Sequence, residues 1–417
     1  MQRLDQSLAV LKNQQFRSFW IGRVVSSLGS TAAPVAIAFA ALDAGGGAPW
    51  LGLILALNVA PQVLLLLAGG VLGDRVSRDT IMIACNLVSG TVQAVLALLL
   101  LLGAAPLWTL ALSVLLMGSA TAFFQPASQG SIAQLVPDEQ RVPANAVLRL
   151  PLNAARVLGP ALGGVLVAVF EPGWALVCNA ACFLLSVFFL TSIKLPAPLP
   201  AKESVFASLK AGFSHFKARR WYMVMVAQST VTVMMWLVGF QLFGPVISDL
   251  HLGGAAAWGV IGAGFAAGLV GGSLIAVAAR PRRVGLTVSL CLAVQSLPLA
   301  ALALAAPLWA EVVCVVAAGV ALDLSIVSWS AFFQEQIPQQ LQSRLSSIST
   351  FGQLLPVPLG YLAFGLLSDE VSSGVLVGVM AAILLLAALA PLLLPSIRAL
   401  RLGKPADEFS ELEDAAA

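Results

Sequence analysis

Twelve long apolar runs dominate the chain, near residues 16–42, 50–73, 79–103, 106–128, 144–170, 173–193, 221–248, 255–279, 284–304, 307–333, 345–367 and 372–395. About 20 apolar residues in a helix cross roughly 30 Å of hydrocarbon, and every run reaches that length. Inside hydrocarbon the backbone must satisfy its own hydrogen bonds, which leaves helices or a closed barrel. Barrel strands read as short alternating segments. These runs are continuous, so the sequence predicts an all-α membrane protein of twelve transmembrane helices. Only 10% of the 417 residues are charged, against roughly 25% in a soluble domain. A polar segment precedes the first run, which is long enough to span; no cleavable leader is expected.

Charge placement orients the chain. An even number of spans puts both termini on one side. Nineteen of the 22 Lys and Arg belong to that side, counting Arg17 at the edge of the first run; the other three (Arg23, Arg149 and Arg156) lie deeper within spans, and the opposite loops hold none. Basic loops stay in the cytoplasm. The expected location is a bacterial cytoplasmic membrane, with both termini inside. The five cysteines all fall in apolar runs, where they read as small hydrophobes rather than disulfide partners.

The chain divides into a six-helix half at 1–194, a linker at 195–220, a second half at 221–396 and an acidic tail at 397–417. In the linker, Phe206, Leu209, Phe213 and Phe216 share one helical face, which reads as a helix lying on the membrane surface. The halves echo each other. The fourth run leads into AFFQPASQGSIAQLVPDEQR (122–141) and the tenth into AFFQEQIPQQLQSR (331–344). Repetition in a six-plus-six arrangement points to a transporter with two rocking halves.

The turn after the second run reads GGVLGDRVSRD (69–79). Its glycines, with Asp74, Arg75 and Arg78, resemble the signature loop G-x-L-[AG]-D-R-x-x-R-[KR] of the major facilitator superfamily, with Asp79 replacing the last basic residue. The resemblance implies that Gly73, Asp74, Arg75 and Arg78 form a cytoplasmic gate that opens and closes with alternating access.

The fifth run carries NAARVLGPALGG (153–164). Asn145, Arg149, Asn153, Arg156, Pro160 and Gly163 recur every three or four residues, which is one helical stripe. An arginine at a helix centre costs about 2.5–3.5 kcal/mol on insertion scales, so the stripe is expected to face a cavity between the halves. Arg149 has a second reading, snorkelling to the headgroups, and Arg156 a second reading as half of a structural ion pair. Gly159, Pro160, Gly163 and Gly164 resemble the G-P-x-x-G-G core of the fifth-helix motif of exporters in this superfamily. Small residues here are expected to let the helix press against one from the other half. Together with FRSFWIGRVVSSLGS (16–30), the linker and the end of the tenth run, this stretch resembles the enterobactin-exporter and macrolide-efflux branch. Relatives often carry an acid where this chain has Ser30, so no coupling carboxylate transfers there. The arginine of the fourth-helix antiporter motif is also missing.

Asp323, deep in the tenth run, is the clearest acid within a span: a candidate carrier of a coupling proton, a partner for Arg156, or a packing carboxylate. Asn58, Gln62, Gln93, Gln125, Gln228, Trp236, Gln241 and Gln353 complete the candidate cavity, each with the alternative of a helix–helix hydrogen bond. Scattered amides and rings suit a bulky amphipathic molecule. No P-loop, nucleophile–base pair or metal cluster appears, so no enzyme, cofactor or metal is expected. The reading is a monomeric secondary exporter of a drug, siderophore or other secondary metabolite, driven by entering protons, with lipid as its surroundings and no nucleic-acid partner. Two alternatives stay open: an importer or facilitator of an organic anion on the same fold, with Arg149 and Arg156 as clamps, and a non-transporting sensor or scaffold.

Overall fold

The computed structural model describes residues 10–65, 76–196, 213, 216, 219–279 and 281–403. Twelve helices among these are long and apolar enough to span a membrane. They are α1 (Gln14–Asp43), α2 (Gly47–Leu64), α3 (Arg78–Leu101), α4 (Leu107–Leu135), α5 (Pro143–Phe170), α6 (Pro172–Leu190), α7 (Arg220–Leu252), α8 (Gly254–Ala276), α9 (Val284–Ala303), α10 (Leu308–Gln336), α11 (Arg344–Leu367) and α12 (Ser373–Leu393).

Local chemistry sets the ends. The Asn13 side chain caps α1 by accepting from the Gln15 and Phe16 amides. Its amide nitrogen also donates to Leu135 O at 3.1 Å, fastening the start of α1 to the end of α4. α4 and α10 each start after an extended proline, Pro106 and Pro307, a residue whose missing N–H is no loss at that position. Both helices run past their apolar stretches, through AFFQPASQGSIAQL to Leu135 and AFFQEQ to Gln336. The sequence placed the ends earlier because hydropathy falls where a helix leaves hydrocarbon, although the helix itself continues.

The chain forms two compact units, residues 1–205 and 206–417. In the first, α1 packs on α5 and α6, α3 on α4 and α6, and α2 on α4. In the second, α7 packs on α11 and α12, α9 on α10 and α12, and α8 on α10. Adding six to each helix number converts the first set into the second. The repeat seen in the AFFQ stretches is therefore a repeat of packing. Equivalent seams also use the same device. At α2–α4, a side chain on Gly118 would overlap the Asn58 backbone; at α8–α10, one on Gly272 would lie 2.5 Å from Val320 O. Glycine at these points lets two backbones touch where lipid supplies no hydrophobic drive for association.

Candidate functional site

In the first unit the polar side chains gather around an arginine. Arg23, on α1, donates to Gln125 Oε1 at 3.4 Å, and its guanidinium lies 4.9 Å from the centre of the Phe124 ring. Both partners belong to the AFFQ stretch of α4. That stretch thus supplies an amide acceptor and a ring face, which together hold a cation. Arg156 of α5 lies within electrostatic reach of Arg23. The described spans of this unit carry acids only at their ends, Asp43 and Asp79. The Arg23–Arg156 group is thus a cationic centre at membrane depth. Sequence reasoning counted Arg23 among the buried cations but did not place it in the site; the signal was available, a lone arginine two turns into a span.

Arg149 and Asn153 are exposed on the same helix as Arg156, also exposed. Asn145 turns back, its amide donating to Arg141 O at 2.8 Å. The motif glycines do not serve the purpose expected of them. A Cβ on Gly163 would lie 2.5 Å from Ala32 O and 3.1 Å from Ala32 Cα, and one on Gly159 would overlap Thr31. Thr31 Oγ1 donates to Ala155 O at 3.0 Å across the same seam. Gly159 and Gly163, with Pro160 between them and buried Gly164 beside them, therefore press α5 against α1 of their own half. The expectation of a partner from the other half is corrected: the residues that meet the missing side chains are Thr31 and Ala32.

Asn58 and Gln62 tie to each other, Gln62 Nε2 donating to Asn58 O at 2.9 Å. Gln93 of α3 is fully buried, neither of its side-chain polar atoms having a partner. Two turns earlier on α3, where the helix meets α6, Asn86 donates to Ser186 at 2.8 Å. Gln93 is thus inside the helix packing rather than on an open face.

In the second unit, Asp323 accepts a hydrogen bond from Ser273 of α8 at 2.6 Å. Gln228 is buried and donates to Ser289 Oγ at 3.0 Å and Ala388 O at 2.6 Å, which binds α7 to α9 and α12. Trp236 is also buried, stacked on Phe240 at 4.6 Å with Phe265 at 5.3 Å. These two residues occupy helix interfaces, the second of the two roles open to them in the sequence. Gln241 accepts from the Tyr361 hydroxyl at 3.1 Å, and Gln353 donates to Ser229 at 3.0 Å and Ser349 at 2.9 Å.

A cavity of about 380 Å³ opens where α7, α10 and α11 meet. Tyr222, Trp329 and Phe333 supply rings; Gln342, Ser349 and Gln353 supply amides and a hydroxyl; no lining side chain is charged. The Tyr222 and Trp329 rings are parallel within 4° at 6.0 Å. The second AFFQ stretch builds this region, its Phe332 and Phe333 joining Trp221, Tyr222 and Trp329 in one aromatic cluster. Sequence reasoning found Gln353 but missed these rings, which read as ordinary apolar residues.

Of the gate residues, Gly73, Asp74 and Arg75 lie outside the described residues. Arg78 opens α3 and donates to the Gly130 carbonyl on α4. Two pseudo-repeated six-helix units, with polar and aromatic groups turned into the spans, have the architecture of a membrane transporter.

The chain belongs to the major facilitator superfamily, in the family described as transmembrane secretion effector, whose model matches residues 5–412. It is 22% identical over 364 residues to macrolide efflux protein A of Streptococcus pyogenes, covering 86% of this chain and 90% of that protein. It is 27% identical over 316 residues to the putative bacilysin exporter BacE of Bacillus subtilis (strain 168), covering 74% and 77%. Its fold resembles the crystal structure of the nucleoside transporter NupG, with a TM-score of 0.69 at 14% identity over 91% of this chain and 98% of that one. A POT family transporter in complex with 5-aminolevulinic acid gives a TM-score of 0.70 at 11% identity, over 92% and 96%. The family and these relatives are transporters rather than enzymes.

Proposed function

We propose that this protein exports a bulky amphipathic organic compound from the bacterial cytoplasm by alternating access, in exchange for entering protons, with both termini inside. The observation that carries this reading is the secretion-effector match over residues 5–412, joined by two export relatives that each cover most of the chain. Asymmetry in the loop charges supports the orientation. The uncharged, ring-rich cavity at the end of α7, α10 and α11 suits the apolar and hydroxylated faces of a large organic molecule. Asp74, Arg75 and Arg78 serve the cytoplasmic gate, and Asp323 is the acid that answers Arg156 or carries the coupling proton in turn.

The cationic centre of Arg23 and Arg156 favours one narrower statement. With no acid in the middle of the described spans of its unit, it calls for an anionic group, from Asp323 or from the substrate. An organic anion is therefore the second substrate class. Expression in a drug-sensitive bacterium, with a macrolide and an anionic dye as separate probes, tests both direction and class. Depletion of either probe supports export and identifies the class; accumulation contradicts export and favours the importer.

A further inference from the structure

Glu311 occupies the first turn of α10, at the end away from the basic loops. It is 1% exposed, and neither carboxylate oxygen has a hydrogen-bond partner. Among the described residues no cation is bonded to it. α8, which makes the most extensive packing with α10, has no titratable side chain; α9 contributes only Cys291; α11 contributes Arg344, at its far end, and Tyr361, whose hydroxyl donates to Gln241. On α10 itself, Cys314 is one turn along and within electrostatic reach. Asp323 and Glu335 lie further down the helix, about 18 and 36 Å away at 1.5 Å per residue. Asp249 and His251 end α7, and Asp369 and Glu370 lie in the α11–α12 connection, all at the same end; none is bonded to it.

Packing carboxylates in a membrane interior are paired or hydrogen-bonded, because an isolated buried charge costs far more than the fold can offset. The positive end of the α10 dipole recovers only a small part of that cost. A carboxyl with no partner is tolerable only as the neutral acid. Gly264 of α8 lies directly against Val312 and Val315, the neighbours of Glu311, where an added Cβ would be 3.4 and 3.3 Å away. With Gly268, Gly272 and Gly319 it forms a seam of small residues along which α8 and α10 touch backbone to backbone. Opening of that seam would bring water to Glu311.

We propose that Glu311 is a proton-binding site of the transporter, holding its proton while α8 and α10 close over it and exchanging it with the outer solution when they part. The inference rests on the proton-coupled reading above for its use, but the bound proton itself is testable alone. The full chain, reconstituted in liposomes, is examined by infrared difference spectroscopy during a pH titration. The wild type should show a protonated-carboxyl band at neutral pH. Isotopic labelling of glutamate should shift that band, labelling of aspartate should leave it in place, and Glu311→Gln should abolish it while Asp323→Asn retains it. A wild-type spectrum with no such band, or a band that moves with aspartate label, overturns the proposal without any variant having to fold. Flux with a macrolide probe then separates the two readings. Loss of proton movement in Glu311→Gln, with downhill probe movement kept, supports the site. Undiminished proton movement in Glu311→Gln overturns its role in coupling. Absence of proton movement in the wild type refutes the coupled mechanism instead.

Discussion

Gly163→Ala isolates what the exporter motif does for the fold. Alanine in a helix is about 1 kcal/mol better than glycine, so by propensity alone the change stabilises. At Gly163 the new Cβ would lie 2.5 Å from Ala32 O and 3.1 Å from Ala32 Cα, against 3.4 Å for ordinary contact. Both atoms are backbone, so no rotamer can relieve the overlap and α5 must move off α1. Overpacking of this kind costs about 1–3 kcal/mol. Gly271 on α8 provides the control, because a Cβ there would meet only Val320 Cγ2, at 3.5 Å. Helix propensity is common to both substitutions and cancels in their comparison. Gly163→Ala should therefore be less stable than Gly271→Ala by the overpacking cost alone, about 1–3 kcal/mol. Tryptophan-fluorescence melting of the two purified variants in the same detergent reads the ordering. Because the α1–α5 seam also sets the separation of Arg23 and Arg156, transport should fall in Gly163→Ala and persist in Gly271→Ala. Equal or greater stability of Gly163→Ala would refute the close-approach argument.

Other substitutions test other parts of the account. Gln228→Ala leaves the Ala388 carbonyl and the Ser289 hydroxyl buried without their amide donor, which should cost about 1–3 kcal/mol in the same melting assay; an unchanged melting temperature contradicts a tie between α7, α9 and α12. Glu171 adopts φ 79° and ψ 158°, a region essentially confined to glycine and worth of order 1–3 kcal/mol of strain. Glu171→Gly should therefore raise the melting temperature, and a fall would argue against strain at the α5–α6 turn. Arg23→Gln keeps an amide beside Gln125 and Phe124 but removes the charge, so the protein should fold normally while transport of an anionic probe falls at least tenfold. Asp323→Asn and Arg156→Ala, tested separately, should each impair proton-driven flux; normal transport in both would remove these residues from the mechanism.

The sequence made the architecture legible because lipid imposes a rule on every residue of a span. All twelve helices begin within a few residues of the apolar runs. Internal symmetry was legible as well, since AFFQ recurs on α4 and α10 and the two stretches occupy equivalent places in the packing. The site was less legible. A glutamine in an apolar helix reads the same whether it faces a cavity or a neighbouring helix, and only the structure separates Gln353, at a cavity wall, from Gln93 and Gln228, enclosed in packing. The partner of Gly159 and Gly163 was misassigned because a small-residue face says that something approaches closely, not which helix it is. Glu311 escaped notice because an acid one turn inside a run normally reaches the headgroups; its burial depends on α8 and α10 closing around it. Arg23 acquires meaning only once folding brings Phe124 and Gln125, about a hundred residues away in the chain, against it.

Coupled export is the central claim, and flux in vesicles tests it most directly. The full chain is reconstituted in liposomes, and movement of a radiolabelled macrolide is followed with and without an imposed pH gradient, alongside a pH-sensitive dye in the lumen. The account predicts uphill macrolide movement against the direction of proton flow, abolished when the gradient is collapsed. Movement that is indifferent to the gradient, or that runs with the protons, would contradict it.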